Sequence, residues 1–373
     1  MAPVTEVNAH ESLQPMLADL FVDHDAFDRF GRVLRHLLVG LVDQAVKVRI
    51  VSADSRVESL TLGPITTVLH EAPRWPVARR RTEHLIDVLS PHPPNIVYAL
   101  SGGTYLQARA TAEAFDADLV LQVSSVLDTR RAAALTDARI GHYLSFTQPL
   151  AEMLIDSLNL PPDQVSVLRP GVLTARQPAC FGHPRRNPTL LSFAPFDRGG
   201  GVEALIEAAG RLADRHSDFL LFLLGQGPRE SALRRLIRNR KLSSRVTLAH
   251  PFGNILQTMQ NADIYIRPAP ETAYHDDVLH AMGAGVAAVV VAGPAQDYVT
   301  GGETGIVCES GDPAALCKAI DSLLSDRPHA RRVAEQALEY VRTHHPISAM
   351  AEKCAEVFRR LALSHATFSM KES

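Results

Sequence analysis

Residues 198–201 read Arg-Gly-Gly-Gly and stand directly before an apolar-periodic stretch. Glycines at a helix entry let successive backbone N–H groups converge, so Arg198, Gly199, Gly200 and Gly201 could form an anion-binding nest with a cation beside it. A flexible strand-to-helix turn would use the same residues. Gly225 and Gly227, in "LLGQGP", let a strand leave its sheet sharply and bring backbone close to a ligand, or simply make a strand-end turn. Arg267, just before Pro268, is a second cation for a phosphate-bearing ligand; a surface strand end would also explain it.

Acids and histidines gather in "DHDAFD" (23–28) and "HDDVLH" (275–280). His24, His275, Asp276 and His280 would make a metal set if they converged, but they lack a standard ligand spacing. Asp276 and Asp277 read equally well as acids at a helix start, where the helix dipole favours them. "SGG" at 101–103 opens a helix, either capping it or contacting an acceptor. No G-x-S-x-G elbow follows a strand, so a hydrolase triad is not expected.

The elements that must position these residues alternate between strand-length apolar runs and helical-period segments, the form of parallel sheets with crossover helices. The class is therefore α/β, and 373 residues are enough for two domains. In the first half, Phe30, Val33, Leu34, Leu37, Leu38 and Leu41 share a helical face. Strands are expected at "KVRIVS", "NIVYALS", "DLVLQVSS", "GHYLSF" and "QVSVLRP", with helices near 79–89, 103–115, 129–138 and 148–158. Periodicity stops around Pro178, Pro184 and Pro188. The expected division is a first Rossmann-like domain (1–176), a linker (177–188), a second Rossmann-like domain (189–345) and a helix and tail (346–373) that packs back on the first. Strands in the second domain fall at "TLLSFA", "FLLFLLG", "VTLAH", "DIYIRP", "VAAVVVA" and "TGIVCE", with helix almost throughout after Pro313. Ligands of such sheets lie at the carboxyl ends of strands, here the loops around Phe196, Gly225, Pro268 and Gly293.

With 46% hydrophobic and 21% charged residues, the composition is that of a globular protein, and no window approaches the roughly 18–20 apolar residues of a membrane span. The start "MAPVTEVNAHESLQPML" does not resemble a secretory signal, so a cytoplasmic location is expected. A net charge of -3 gives no reason to expect nucleic acid. Cys180, Cys308, Cys317 and Cys354 have no C-x-x-C spacing and read as reduced core thiols. Basic runs at 79–81 and 234–241 are either solvated helix faces or, for Arg234, Arg235, Arg238 and Lys241, a contact with anionic lipid at the inner face of a membrane.

The second half, through "GGVEALIEAAGRL", "FLLFLLGQGP", "NADIYIRPAPE" and "LHAMGAGVAAVV", resembles the donor-binding domain of the family-4 glycosyltransferases. These are group 1 enzymes of the GT-B fold, two Rossmann-like domains facing a cleft. The resemblance implies a nucleotide-sugar ligand and no metal or other cofactor. It also implies an Arg and a Lys beside the donor diphosphate, which fall on Pro195 and Gly200, and two glutamates, which fall on Thr272 and His280. Glu271 is one residue away from the first. A His-Asp pair on the other wall becomes Ser124 and Ser125; these and, from the "SGG" stretch, Ser101 and Gly102 are the acceptor-side candidates. A glycine-rich loop becomes a stretch carrying Asp23, Asp25 and Asp28, which are expected to repel a diphosphate, as are Asp276 and Asp277. The expectation is a GT-B relative, weakly active or non-catalytic, that binds a nucleotide, sugar nucleotide or glycan. An active retaining transferase and a scaffold subunit with a protein partner are the alternatives. A cleft filled by Phe196, Tyr274 or His275 would favour the scaffold.

Overall fold

Runs of β-branched and aliphatic residues such as Ala287–Val291 are buried on every side chain, as parallel strands covered by helices on both faces must be. The computed structural model of the chain describes residues 16–71, 77–135, 139–183, 186–216, 218–250 and 255–372, with side chains through residue 364. Residues 1–15, Pro184 of the expected linker and the end of the helix expected at 129–138 lie outside them.

The first domain runs β1 (Leu17–Val22), α1 (His24–Asp43), β2 (Lys47–Ser52), β3 (Thr66–Leu69), α2 (Ala78–Leu89), β4 (Ile96–Ala99), α3 (Tyr105–Phe115) and β5 (Asp118–Val123). It continues with α4 (Val126–Ala133), β6 (Ile140–Ser145), α5 (Gln148–Leu158) and β7 (Val165–Val167). The second holds β8 (Thr189–Phe193), α6 (Val202–Ala213), β9 (Leu220–Leu224), α7 (Glu230–Asn239), β10 (Val246–Ala249), α8 (Ile255–Met259), β11 (Ile264–Arg267) and α9 (Asp277–Gly283). β12 (Ala287–Val291), β13 (Ile306–Cys308), α10 (Pro313–Ser325), α11 (Arg327–His344) and α12 (Ile347–Glu372) complete the chain.

Among the described residues the sheets are ordered β3-β2-β1-β4-β5-β6-β7 and β10-β9-β8-β11-β12-β13, every pair parallel. In each, the strand order reverses beside the first strand, so crevices open at the ends of β1 and β4 and of β8 and β11. These are the two places that the candidate residues occupy.

Two departures from the sequence reading have local causes. The stretch around Pro178 is not a loose tether: Phe181 and Thr189 N–H both donate to the buried Asp263 carboxylate at 2.7 Å, and Cys180 N–H bonds Gly285 O. Helix α4 starts at Val126, because Ser125 Oγ accepts the Asp128 N–H and caps it. α12 lies against α1: Gly40 faces Ala351, and Arg359 donates to Gln44 O. One apolar cluster runs without a break from Leu20, Phe30 and Phe358 through Phe146 and Tyr274 to Val278, Met282 and Val290, so the domains share a core. All four cysteines are buried and unpaired, and no helix of the described residues is long and apolar enough to cross a membrane.

Candidate functional site

At the end of β8 the glycines are oriented by their own chain. Asp197 Oδ1 accepts the N–H groups of Gly199 (2.8 Å) and Gly200 (2.9 Å), occupying the nest the sequence offered to an anion. Arg198 points into solvent, and Pro195 and Gly200 supply no charge. Gly201 caps α6 in a left-handed conformation. Gly225 and Gly227 serve a backbone packing role: a Cβ on Gly225 would lie 2.0 Å from Ala194 O, and one on Gly227 2.5 Å from Phe196 O. The space beside them holds the β8 loop, and Phe196 is fully buried under it.

The cation that does reach the strand ends is Arg267, the last residue of β11. It is buried; Nη1 donates to Asp277 Oδ2 at 2.8 Å, and Nε lies 3.6 Å from Glu271 Oε1. Tyr265 OH donates to the same Asp277 oxygen at 2.6 Å. Burial works most strongly against an ionised Asp277, but Arg267, His275 and the Tyr265 hydroxyl together outweigh it and hold the carboxyl below its usual range. Glu271 receives less of Arg267. Burial pushes it up to about 7, against the pull of Arg267 and of the Tyr298 hydroxyl, which donates to its Oε2 at 2.8 Å.

Asp276 pairs with Arg32 of α1, and its other oxygen lies 3.7 Å from His280 Nε2. Desolvation alone would raise its pKa; Arg32 and His280 reverse this and hold it at about 2. The acids expected to repel an anion are therefore neutralised: Asp276 by Arg32, Asp277 by Arg267, Asp25 by Arg29 and Asp28 by Arg56. Asp23 caps α1 through Ala26 N–H and accepts the Ser101 hydroxyl at 2.6 Å.

On the first domain, Ser101, Gly102, Ser124 and Ser125 do come together, around a residue the sequence reading missed. Asp128 accepts Gly102 N–H (2.8 Å) and Ser124 Oγ (2.9 Å), while Arg29 Nη1 donates to Ser124 Oγ (3.0 Å) and Ser124 O (3.2 Å). The Ser-x-x-Asp spacing from Ser125 to Asp128 was a visible capping signal.

The two walls touch directly. Ser125 and Ala273 form an antiparallel bridge, Val126 N–H donates to Thr272 O (2.9 Å) and Tyr274 N–H to Ser124 O (2.7 Å). Thr272 thus contributes its carbonyl, with its side chain exposed. α1 is kinked at Phe30 (φ -148°, ψ 27°), and the neighbouring Arg29 carbonyl accepts Asp276 N–H at 3.0 Å. Tyr274 is buried against Phe146, 4.7 Å between ring centres, and Phe30. Behind it, Glu271 Oε1, Tyr274 OH, Asp276 Oδ2 and both His280 ring nitrogens lack hydrogen-bond partners among the described residues. Glu271 Oε1 and Asp276 Oδ2 are compensated by Arg267 Nε at 3.6 Å and His280 Nε2 at 3.7 Å.

The metal set does not assemble. His24 lies with Asp28 and Asp54, His280 with Asp276, and among the described residues no group of three or more His, Cys, Asp or Glu is placed to hold a metal ion. In the basic runs, Arg79 and Arg81 pair with Glu83 and Glu71, and Arg234 with Glu230, while Arg235, Arg238 and Lys241 are exposed.

Two Rossmann-like domains meeting at their strand ends define a GT-B protein. Over 94% of this chain and 100% of the other, the fold matches sucrose-phosphate synthase from Thermosynechococcus elongatus, with a TM-score of 0.79 at 17% identity. The Anabaena protein HepE in complex with UDP-glucose matches over 92% of this chain and all of its own, with a TM-score of 0.77 at 15% identity. Residues 175–340 match the family model described as Glycosyl transferases group 1. Glycogen synthase of Mycobacterium tuberculosis is 28% identical over 199 residues, 52% of this chain and 48% of that protein. The chain spans about half or less of the length of the first curated relatives it matches.

Proposed function

We propose that this protein is a group 1 glycosyltransferase relative that binds a nucleotide, sugar nucleotide or glycan weakly between its domains and transfers sugar slowly or not at all. The observation that carries this reading is the β8 loop, where the carboxylate of Asp197 takes the Gly199 and Gly200 N–H groups and positions 195 and 200 carry no cation. A departing diphosphate needs preorganised positive charge without a metal's help. Loss of one such group typically costs about 10²- to 10³-fold in turnover, so two cost about 10⁴-fold or more. The burial of Phe196 and Tyr274 agrees with a cleft built more for contact than for chemistry.

The second reading, a working retaining transferase, is favoured by one feature: Arg267 and Glu271 are buried side by side at the end of β11, with Glu271 Oε1 3.6 Å from Arg267 Nε and accepting no hydrogen bond. The test is a thermal-shift and calorimetric screen of the full chain against UDP, GDP, ADP and their sugar conjugates, with turnover measured in parallel. Binding without turnover supports the proposal, and turnover lost in Arg267→Lys supports the second reading. No binding by any of them removes the nucleotide and leaves glycan or protein partners.

A further inference from the structure

We propose that the pocket between Phe181 and the start of α11 is a binding site for a phosphorylated sugar, separate from the interdomain cleft. The pocket encloses about 430 Å³ and is lined by Phe181, Arg327, Pro328, Arg331, Arg332 and Glu335. Its floor is fixed by the chain that joins the domains: Phe181 N–H donates to Asp263, just before β11, and Cys180 N–H to Gly285 O, just before β12. The pocket therefore lies at the amino ends of these strands, the end of the second sheet remote from the cleft. Phe181 has φ 49°, a left-handed conformation that a bulky residue adopts only where its surroundings hold it, and the Arg327 guanidinium stacks over its ring at 5.1 Å.

The charge of this pocket is what a phosphate would recognise. Arg327, His329, Arg331 and Arg332 crowd the start of α11, which has no acid in its first turn. Cations there oppose one another and the positive end of the helix dipole, so an anion bound among them relieves both repulsions. Nor does the protein neutralise them itself. On other helices, arginine and glutamate four residues apart form ion pairs, as in Arg79–Glu83, Arg109–Glu113 and Glu230–Arg234. Arg331 and Glu335 have the same spacing, yet among the described residues neither of them, nor Arg327 or Arg332, has an ion-pair partner. Guanidinium groups bind phosphate oxygens through paired N–H donors. Glu335 repels a bare anion but accepts hydroxyl hydrogens, so the ligand that uses the whole lining carries a phosphate at one end and hydroxyl groups at the other. A phosphorylated monosaccharide has that chemistry, and the volume is that of a small-molecule site.

The test is calorimetric titration of the full chain with glucose 6-phosphate, fructose 6-phosphate and ribose 5-phosphate. Inorganic phosphate and glucose are the controls, and vesicles containing phosphatidic acid present the same phosphate group from a lipid. At least one sugar phosphate should bind more tightly than either control. Arg331→Ala combined with Arg332→Ala, both at exposed positions where the fold should be kept, should weaken that binding about 10- to 100-fold. Glu335→Ala should remove the advantage of the sugar phosphate and leave inorganic phosphate bound at least as tightly as before. Sugar phosphates that bind no better than inorganic phosphate, or that bind the arginine variant unchanged, would overturn the site. Sedimentation with the vesicles while free sugar phosphates fail to bind would overturn the sugar and assign the arginines to a lipid headgroup.

Discussion

Glu271 lies one residue from a position where the resemblance implies a carboxylate, and its surroundings decide what it can do. Burial raises its carboxyl further than Arg267, which is paired with Asp277, can lower it, so the folded protein keeps a proton on Glu271 up to about pH 7, whereas the unfolded chain loses it near 4.5. Folded molecules bind more protons than unfolded ones in that window, so this residue lowers stability as pH rises from about 4.5 to about 7. Glu271→Gln removes the dependence. Urea titrations should show the variant gaining on the wild type by on the order of 3 kcal/mol between pH 4 and pH 8, and a constant difference would contradict the assignment. Asp276 follows the other sign: its depressed carboxyl contributes stability above about pH 4 that is lost as pH falls towards 2. The sequence names these residues but not their pairing, because Arg32 and Asp276 are far apart in the chain and meet only through the domain contact.

At the scale of elements, most of the sheet was legible and the exceptions are instructive. The strand Leu17–Val22 escapes an apolar-run reading because Asp19 interrupts it; Asp19 is buried and held by Arg49 of β2 through two bonds of 2.7 Å. Neither charge makes sense alone in a central strand. β3 escapes for another reason, being a short edge strand with two threonines and little burial. The start of α4 bears directly on the site. Since Ser125 Oγ accepts the Asp128 N–H, Ser125→Ala should cost about 0.5–2 kcal/mol in thermal unfolding and leave any nucleotide affinity unchanged. A selective loss of ligand binding would instead restore Ser125 to the acceptor side.

At the scale of the molecule, the chain crosses to the second domain near residue 175 and α12 returns from it to pack on α1. A Cβ on Gly40 would lie 2.4 Å from that of Ala351, so Gly40→Val should push α12 away and cost about 1–3 kcal/mol, read by denaturant melting; a neutral outcome would mean that α12 is held elsewhere. The two-domain architecture was legible because each half repeats the same alternation of strand and helix. The closed contact between them was not, because no local pattern records that a carbonyl such as Thr272 O will meet an amide such as Val126 N.

The measurement that bears most directly on the central claim is turnover of UDP-, GDP- and ADP-sugars by the purified full chain, followed as release of free sugar or nucleotide beside a calorimetric titration of each. The account predicts at most weak binding and a rate far below the roughly 1 s⁻¹ at which ordinary enzymes begin, since no cation of the β8 loop meets the leaving group. A rate at or above that value would contradict it and assign the leaving-group charge to Arg267, Arg29 and Arg32.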